Sequence, residues 1–324
     1  MPTPVPRSVT SSGPPDLSHV ERLRENVSRV FFGPSHVVDR LLACLLARGH
    51  ALIEDVPGVG KTLLATALAR SLGVSFSRVQ LTPDLLPADV LGVSILDRQS
   101  GEFRFRTGPI FANVVLADEV NRTTPRTQSA LLEAMSERTV SIEGQQHELP
   151  QPFLLIATQN PATFEGTYPL PENQLDRFLM RLAVGYPSRD REMQVLAERP
   201  SDYALHELEP VLNAAEIDAL QRATDAVRLD ETLRRYIVEL AESTRAHEEL
   251  AVGASPRATL ALAAAARATA LLDDRDYCIP EDITDNLVHV WAHRVVGHRF
   301  LAGSQAREHE AIVTEIAHRV PSPA

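Results

Sequence analysis

Lysine is all but missing from this chain of 324 residues: of its 32 lysines and arginines, only Lys61 is a lysine. Wherever a positive charge alone was wanted the sequence uses arginine, so the exception asks for a chemical reason. It stands in Val56-Pro57-Gly58-Val59-Gly60-Lys61-Thr62. A loop of backbone N–H groups wrapped around a triphosphate leaves room for a compact ammonium on a thin stem, not for a planar guanidinium fork. Lysine binds phosphate there as a point charge. The same scarcity excludes a guanine-reading Asn-Lys-x-Asp loop, because the chain has no second lysine from which to build one.

Other scarcities narrow the reading. The two cysteines, Cys44 and Cys278, lie far apart and make neither a disulfide framework nor a zinc site. Cys44 falls in an apolar helical stretch and reads as a buried free thiol. Aromatic residues are 5% of the chain and Trp291 is the one tryptophan, so the core must be built from Leu, Val, Ile and Ala. Residues 1–18 contain no apolar segment of the signal-peptide kind. No run reaches the ~18–20 apolar residues of a membrane span; the longest candidate, Ala258–Leu272, is interrupted by Arg267. These absences point to the cytoplasm. The net charge of −11 speaks against general affinity for nucleic acid or anionic lipid.

With 44% apolar and 23% charged residues the chain has the composition of a soluble globular protein, long enough for two domains. Residues 1–17, rich in proline and serine and without periodicity, read as a disordered tail. Helical spacing follows over 18–30 and 34–48, the second with Val37, Val38, Leu41, Leu42, Leu45 and Leu46 on one side. From His50 short apolar runs alternate with helices: strands are predicted over 50–54, 75–82, 113–117, 153–158 and 178–184, helices over 61–72 and 127–136. That rhythm belongs to a parallel sheet covered on both faces. Val93–Arg106 and Thr139–Leu149 instead alternate like hairpins. After Tyr186-Pro187 residues 188–320 read as helices. The division expected is an α/β domain over 18–187 and an α-helical domain over 188–320.

Glycines 58 and 60 let a backbone approach phosphate oxygens, and the following helix offers its N-terminal dipole to an anion. The segment expected to hold the phosphates is Asp55, Val56, Pro57, Gly58, Val59, Gly60, Lys61, Thr62 and Leu63, with the Thr62 hydroxyl directed at Mg²⁺. Asp55 departs from the strict G-x-x-x-x-G-K-[ST] pattern, which asks for glycine there. Further on, Val114-Val115-Leu116-Ala117-Asp118-Glu119 is an apolar strand ending in two carboxylates. Asp118 at its C-terminal edge suits a metal, and Glu119 can polarise a water for attack on a γ-phosphate. ATP hydrolysis with Mg²⁺ is the chemistry this pair favours.

The runs Asp118-Glu119-Val120-Asn121-Arg122, Thr127 to Met135, Ala157-Thr158-Gln159-Asn160-Pro161 and Leu175-Asp176-Arg177-Phe178 together resemble the MoxR family of AAA+ ATPases, over about residues 18–320. The resemblance implies a P-loop NTPase core with a parallel sheet and a helix-2-type insert hairpin, followed by a small all-α lid domain. It implies that Asn160 is the polar residue sensing the γ-phosphate or the attacking water. Arg177 would be an arginine finger entering a neighbouring subunit's site, and Arg257, opening a lid helix, a second sensor. The residues alone also allow a strand-end Asn, an ion-paired Arg177 and a capping and charge-pairing role for Arg257. The family also implies a homo-oligomeric ring, in the usual form a hexamer, and a partner carrying a von Willebrand factor A domain. Its hairpins face the pore or a client, while Arg104 and Arg106 read better as paired within the domain. Alternatives of the same clade are a magnesium-chelatase-like motor subunit and a nucleic-acid motor.

Overall fold

A computed structural model of the chain describes residues 18–56, 58–159, 168–198, 205–298 and 305–323. The expected tail at 1–17, Pro57 of the expected phosphate segment and the expected sensor Asn160 lie outside the described residues.

Two helices come first, α1 (Ser18–Ser28) and α2 (Ser35–Leu46). The 3.6-residue spacing of Val37, Val38, Leu41, Leu42, Leu45 and Leu46 puts all six into the interior. The central unit then alternates: β1 (Ala51–Glu54), α3 (Lys61–Ser71), β2 (Phe76–Gln80), α4 (Pro87–Leu91), the hairpin β3 (Gly92–Leu96) and β4 (Phe103–Thr107), β5 (Val114–Asp118), a short 3₁₀ turn (Val120–Arg122), and α5 (Pro125–Glu137). A second hairpin, β6 (Thr139–Ile142) and β7 (Gln145–Glu148), is followed by β8 (Leu154–Gln159), α6 (Glu172–Leu175) and β9 (Met180–Leu182). The five long-range strands form one parallel sheet in the order β2-β5-β8-β1-β9.

Period-2 alternation sorts the side chains onto the two faces of that sheet. Ala51, Ile53, Val114, Leu116, Leu154 and Ile156 point to the side of α3, where Leu64 and Leu68 meet them. Leu52, Val115, Ala117, Leu155 and Ala157 point to the side of α5, against Leu131, Leu132 and Met135. All five residues of β5 are buried, as an uninterrupted apolar strand requires.

The remaining helices are α7 (Arg189–Glu198), α8 (Ala214–Ala226), α9 (Glu231–Arg245), α10 (Pro256–Leu272), α11 (Pro280–Trp291) and α12 (Gln305–Arg319). They extend the core on the α3 side, which continues through Leu240, Ala265, Leu287 and Trp291. Gln221 of α8 donates to the Leu45 carbonyl at 2.7 Å, tying this bundle to α2. The region also holds a small antiparallel ribbon, β10 (Leu250–Val252) with β11 (Val296–Gly297), which its sequence did not announce. A two- or three-residue strand is too short to carry a readable alternation. No helix among the described residues is long and apolar enough to cross a membrane.

Both hairpins form where alternation predicted them, with Val93 opposite Arg106 and Thr139 opposite Glu148. They touch: the Phe105 ring stacks on His147 at 4.0 Å. Arg104 pairs with Asp97 at 3.4 Å inside its own hairpin. Cys44 and Cys278 are buried free thiols, and burial pushes the Cys44 thiol up to about 12.

Candidate active site

In-register parallel pairing brings the C-terminal ends of β1, β2, β5 and β8 to one edge, with Glu54 opposite Gln159 and Gln80 opposite Asp118. Ligands of open α/β sheets bind beyond this edge. Asp55, Val56 and Gly58 to Gly60 lie there between β1 and α3. Gly58 and Gly60 have φ of +90° and +88°, a left-handed conformation that glycine adopts without the cost a side chain would impose. Gly60 is the N-cap of α3, so the helix's first N–H groups face the loop.

Lys61 opens α3 and donates from Nζ to the Asp55 carbonyl at 2.7 Å. Burial lowers its pKa, against the opposing charges of Asp55, Asp118, Glu119 and Glu54. The next residue, Thr62, lies with its hydroxyl 3.3 Å from Asp118 Oδ2. A hydroxyl and a carboxylate side by side are the hard oxygen donors Mg²⁺ prefers; it takes few ligands from protein and the rest from phosphate and water. Among the described residues no group of three His, Cys, Asp or Glu offers a metal cage. The Thr62 hydroxyl and Asp118 carboxylate are a donor pair that fits Mg²⁺.

Asp118 is buried, and each of its two oxygens accepts a hydrogen bond from the protein. Its Oδ1 accepts the Thr158 hydroxyl at 3.0 Å, and its Oδ2 accepts Arg78 Nε at 2.8 Å. Glu119 follows with φ +58°, a conformation uncommon for a residue with a side chain. The turn carries its carboxylate past the strand edge, where Oε2 accepts Gln80 Nε2 at 2.8 Å and an Arg122 guanidinium N–H at 3.0 Å.

Three of these partners escaped the sequence reading. Thr158 sat inside a motif valued for its neighbour Asn160. Arg78 and Gln80 share one face of β2, a period-2 pair of polar residues that only the β2–β5 register places against Asp118 and Glu119. A cavity of about 250 Å³ was also missed; it is lined by Phe31, Phe32, Gly33, Val38, Ser188 and Arg191. The Phe31 ring lies 3.7 Å from where a side chain at Gly60 would begin, so this cavity adjoins the phosphate loop.

Arg177 and Arg257 are not brought to this edge. Arg177 donates to the Leu132 carbonyl at 2.8 Å and the Ser136 hydroxyl at 2.7 Å, at the C-terminal end of α5. Arg257, at the start of α10, is largely exposed and lies 3.3 Å from Asp176 Oδ2. Because β9 runs parallel to β1 with Met180 opposite Ala51, residues 176–178 precede the paired strands while the phosphate loop follows them. The four residues of β1 alone span roughly 13 Å. The two arginines thus share one end of the sheet and the phosphate loop occupies the other.

Residues 50–180 match the model of the ATPase family associated with various cellular activities, and residues 242–316 match that of the AAA lid domain. Chaperone MoxR1 of Mycobacterium tuberculosis is 43% identical over 87% of this chain and 76% of its own length. The chain belongs to the MoxR family of AAA+ ATPases. The uncharacterized protein YeaC of Bacillus subtilis is 50% identical over 92% of this chain and 93% of that protein. A crystal structure of a protein assigned as an ATPase, from Cytophaga hutchinsonii, superposes with a TM-score of 0.86 at 34% identity, covering 95% and 96% of the two chains. The expected fold, an AAA+ core followed by a helical lid, is the one this MoxR-family chain adopts.

Proposed function

We propose that this chain hydrolyses ATP with Mg²⁺ in a site shared between neighbouring subunits of a ring, and uses the cycle to remodel or assemble protein partners. The observation that carries the reading is the meeting of Lys61, Thr62, Asp118 and Glu119 at one sheet edge, beside a cavity able to take a nucleobase.

In this reading the residues around Gly58 and Gly60 bind phosphate through backbone N–H groups, and Lys61 neutralises charge on the outer phosphates. Thr62 and Asp118 hold the Mg²⁺, which when bound withdraws charge from the phosphate oxygens. Glu119 orients a water and accepts its proton, while Gln80 and Arg122 set the direction of the carboxylate. Asn160 assists at the γ-phosphate. The Phe31–Val38 cavity takes the base. Arg177 and Arg257 stand on the far side of their own sheet, so both serve a nucleotide held by the adjacent chain, where positive charge stabilises the transferring phosphoryl group. The protein partner carries a von Willebrand factor A domain, as the family resemblance implies.

Glu119→Gln tests this directly. The variant keeps the shape of the site and loses the base, so it is expected to retain ATP binding while hydrolysis falls by about 10²–10⁴-fold. Equal loss of both, or undiminished turnover, overturns the assignment. Pull-down with the ATP-trapped variant identifies the partner.

A further inference from the structure

The strict phosphate-loop pattern has glycine where this chain has Asp55, and a carboxylate aimed into a triphosphate site would repel its ligand. Here the side chain is turned away and used elsewhere. Oδ1 accepts the Val56 N–H at 2.7 Å, and Oδ2 accepts the N–H of Gly185 at 2.6 Å, 130 residues later in the chain. The backbone of the same residue accepts from Lys61 Nζ at 2.7 Å and donates to the Gln159 carbonyl at 3.3 Å. Asp55 therefore joins three things: the lysine, the end of β8, and the segment leaving β9.

That segment is the way into the lid. Val184 is buried, Gly185 turns with φ +72°, and the Tyr186 side chain is exposed. Nothing lies within 4 Å of a side chain built on Gly185, so the glycine serves the turn rather than a tight space. Three residues on, Ser188 caps α7 by accepting the Arg191 N–H at 3.4 Å. Ser188 and Arg191 are the residues that close the Phe31–Val38 cavity from the lid side.

We propose that Asp55 is a positioning residue: its carboxylate fixes the Gly185–Arg191 segment to the phosphate loop and so holds the lid-side wall of the base cavity in place. The proposal rests on the reading that this cavity receives the nucleobase. The carboxylate bond to a backbone N–H is charge-assisted and half-shielded from water, so it is worth more than a neutral one. Loss of the carboxylate frees the wall while Lys61 keeps its bond to the Asp55 carbonyl and loses one neighbouring negative charge. The phosphate grip and the base grip then come apart, and that separation is measurable.

Two variants test it. Asp55→Gly restores the strict phosphate-loop pattern. Asp55→Asn keeps the shape but presents an amide N–H₂ to one of the two backbone donors. Both are expected to unfold at native-like temperature and to bind inorganic tripolyphosphate no more weakly than the parent, because a negative charge beside Lys61 has been removed. Their ATP affinity is expected to fall about tenfold, the usual consequence of losing one charge-assisted bond. Amide hydrogen exchange over residues 185–191 is expected to quicken about tenfold by the same reasoning, with or without nucleotide. Unchanged exchange over 185–191 in both variants overturns the proposal. So does an equal weakening of tripolyphosphate and ATP, which would put Asp55 in the phosphate grip itself. If the parent protein binds no adenine nucleotide, the functional reading fails, while the exchange measurement still decides whether Asp55 holds the segment.

Discussion

Thr158 gives its hydroxyl hydrogen to Asp118 Oδ1 at 3.0 Å, while its oxygen accepts the backbone N–H of Glu119 at 2.9 Å. One side chain on β8 thus fixes both acidic residues at the end of β5. Thr158→Val keeps the volume and removes the hydroxyl, leaving a buried carboxylate oxygen and an N–H short of a partner. We expect a loss of about 1–3 kcal/mol in urea unfolding and a higher Mg²⁺ requirement for nucleotide binding, with Thr158→Ser restoring both. An unchanged unfolding midpoint in the valine variant would dismiss the role.

Because Arg177 and Arg257 occupy the opposite end of the sheet from Lys61, damage to the two ends should complement between chains. Lys61→Ala and Arg177→Ala are each expected to be inactive alone. Mixed, they can form an interface pairing an intact phosphate loop with an intact arginine, and hydrolysis should return in part. Hydrolysis per chain by the parent protein should also rise with protein concentration. Arg177→Ala turning over normally at all concentrations would remove the finger.

His50 carries a pH dependence. Its Nδ1 accepts the Leu155 N–H at 3.0 Å and its Nε2 faces the Met135 carbonyl at 3.2 Å, so the bonded ring must be neutral. Burial lowers its pKa to about 4, against an ordinary value near 6.5. Between those values the unfolded chain holds a proton that the folded chain does not. Stability from this group is therefore complete above pH ~6.5 and is lost as the pH falls towards about 4. His289, lowered to about 4 by burial and by Arg40, works in the same direction. Urea titrations from pH 7.5 to 5 should show the decline. His50→Gln should be less stable at pH 7.5 yet have a shallower slope, and an identical slope would assign the dependence elsewhere.

In the lid, Arg275 grips Asp282 through two bonds of 2.7 and 2.6 Å, and Asp282 also caps α11 by accepting the Ile279 N–H at 2.8 Å. Asp282 is 2% exposed and Arg275 18%. Fully buried pairs cost about 3–5 kcal/mol when one partner is removed. Solvent reaches Arg275, so Asp282→Ala is expected to cost about 2–3 kcal/mol in urea unfolding. Chemical denaturation of the variant checks this; a change below about 0.5 kcal/mol would mean the pair is screened like a surface one.

Much of this was legible in the chain. Lys61, Thr62, Asp118 and Glu119 are close to the ends of β1 and β5, and local pattern suffices to read strand, turn and helix there. The hairpins were legible because period-2 alternation and their turn residues are local too. What pattern could not supply was register. Only the pairing of β2 with β5 sets Arg78 and Gln80 against the acidic pair, and only the pairing of β8 brings Thr158 to Asp118. The 250 Å³ cavity joins residues 31–38 to Ser188 and Arg191, a closure over some 150 positions that no local signal encodes.

The sequence by itself determined the chemistry: one lysine in a glycine loop, two carboxylates after an apolar strand, and a family signature around them. The tertiary structure decided direction. Parallel strands send the phosphate loop to one end of the sheet and Arg177 with Arg257 to the other, because every chain reversal between parallel strands must cross the sheet's full length. It also decided what Asp55 is for. In sequence that residue is a departure from a pattern; in the fold its carboxylate meets Gly185, because β9 lies beside β1 and ends where the phosphate loop begins.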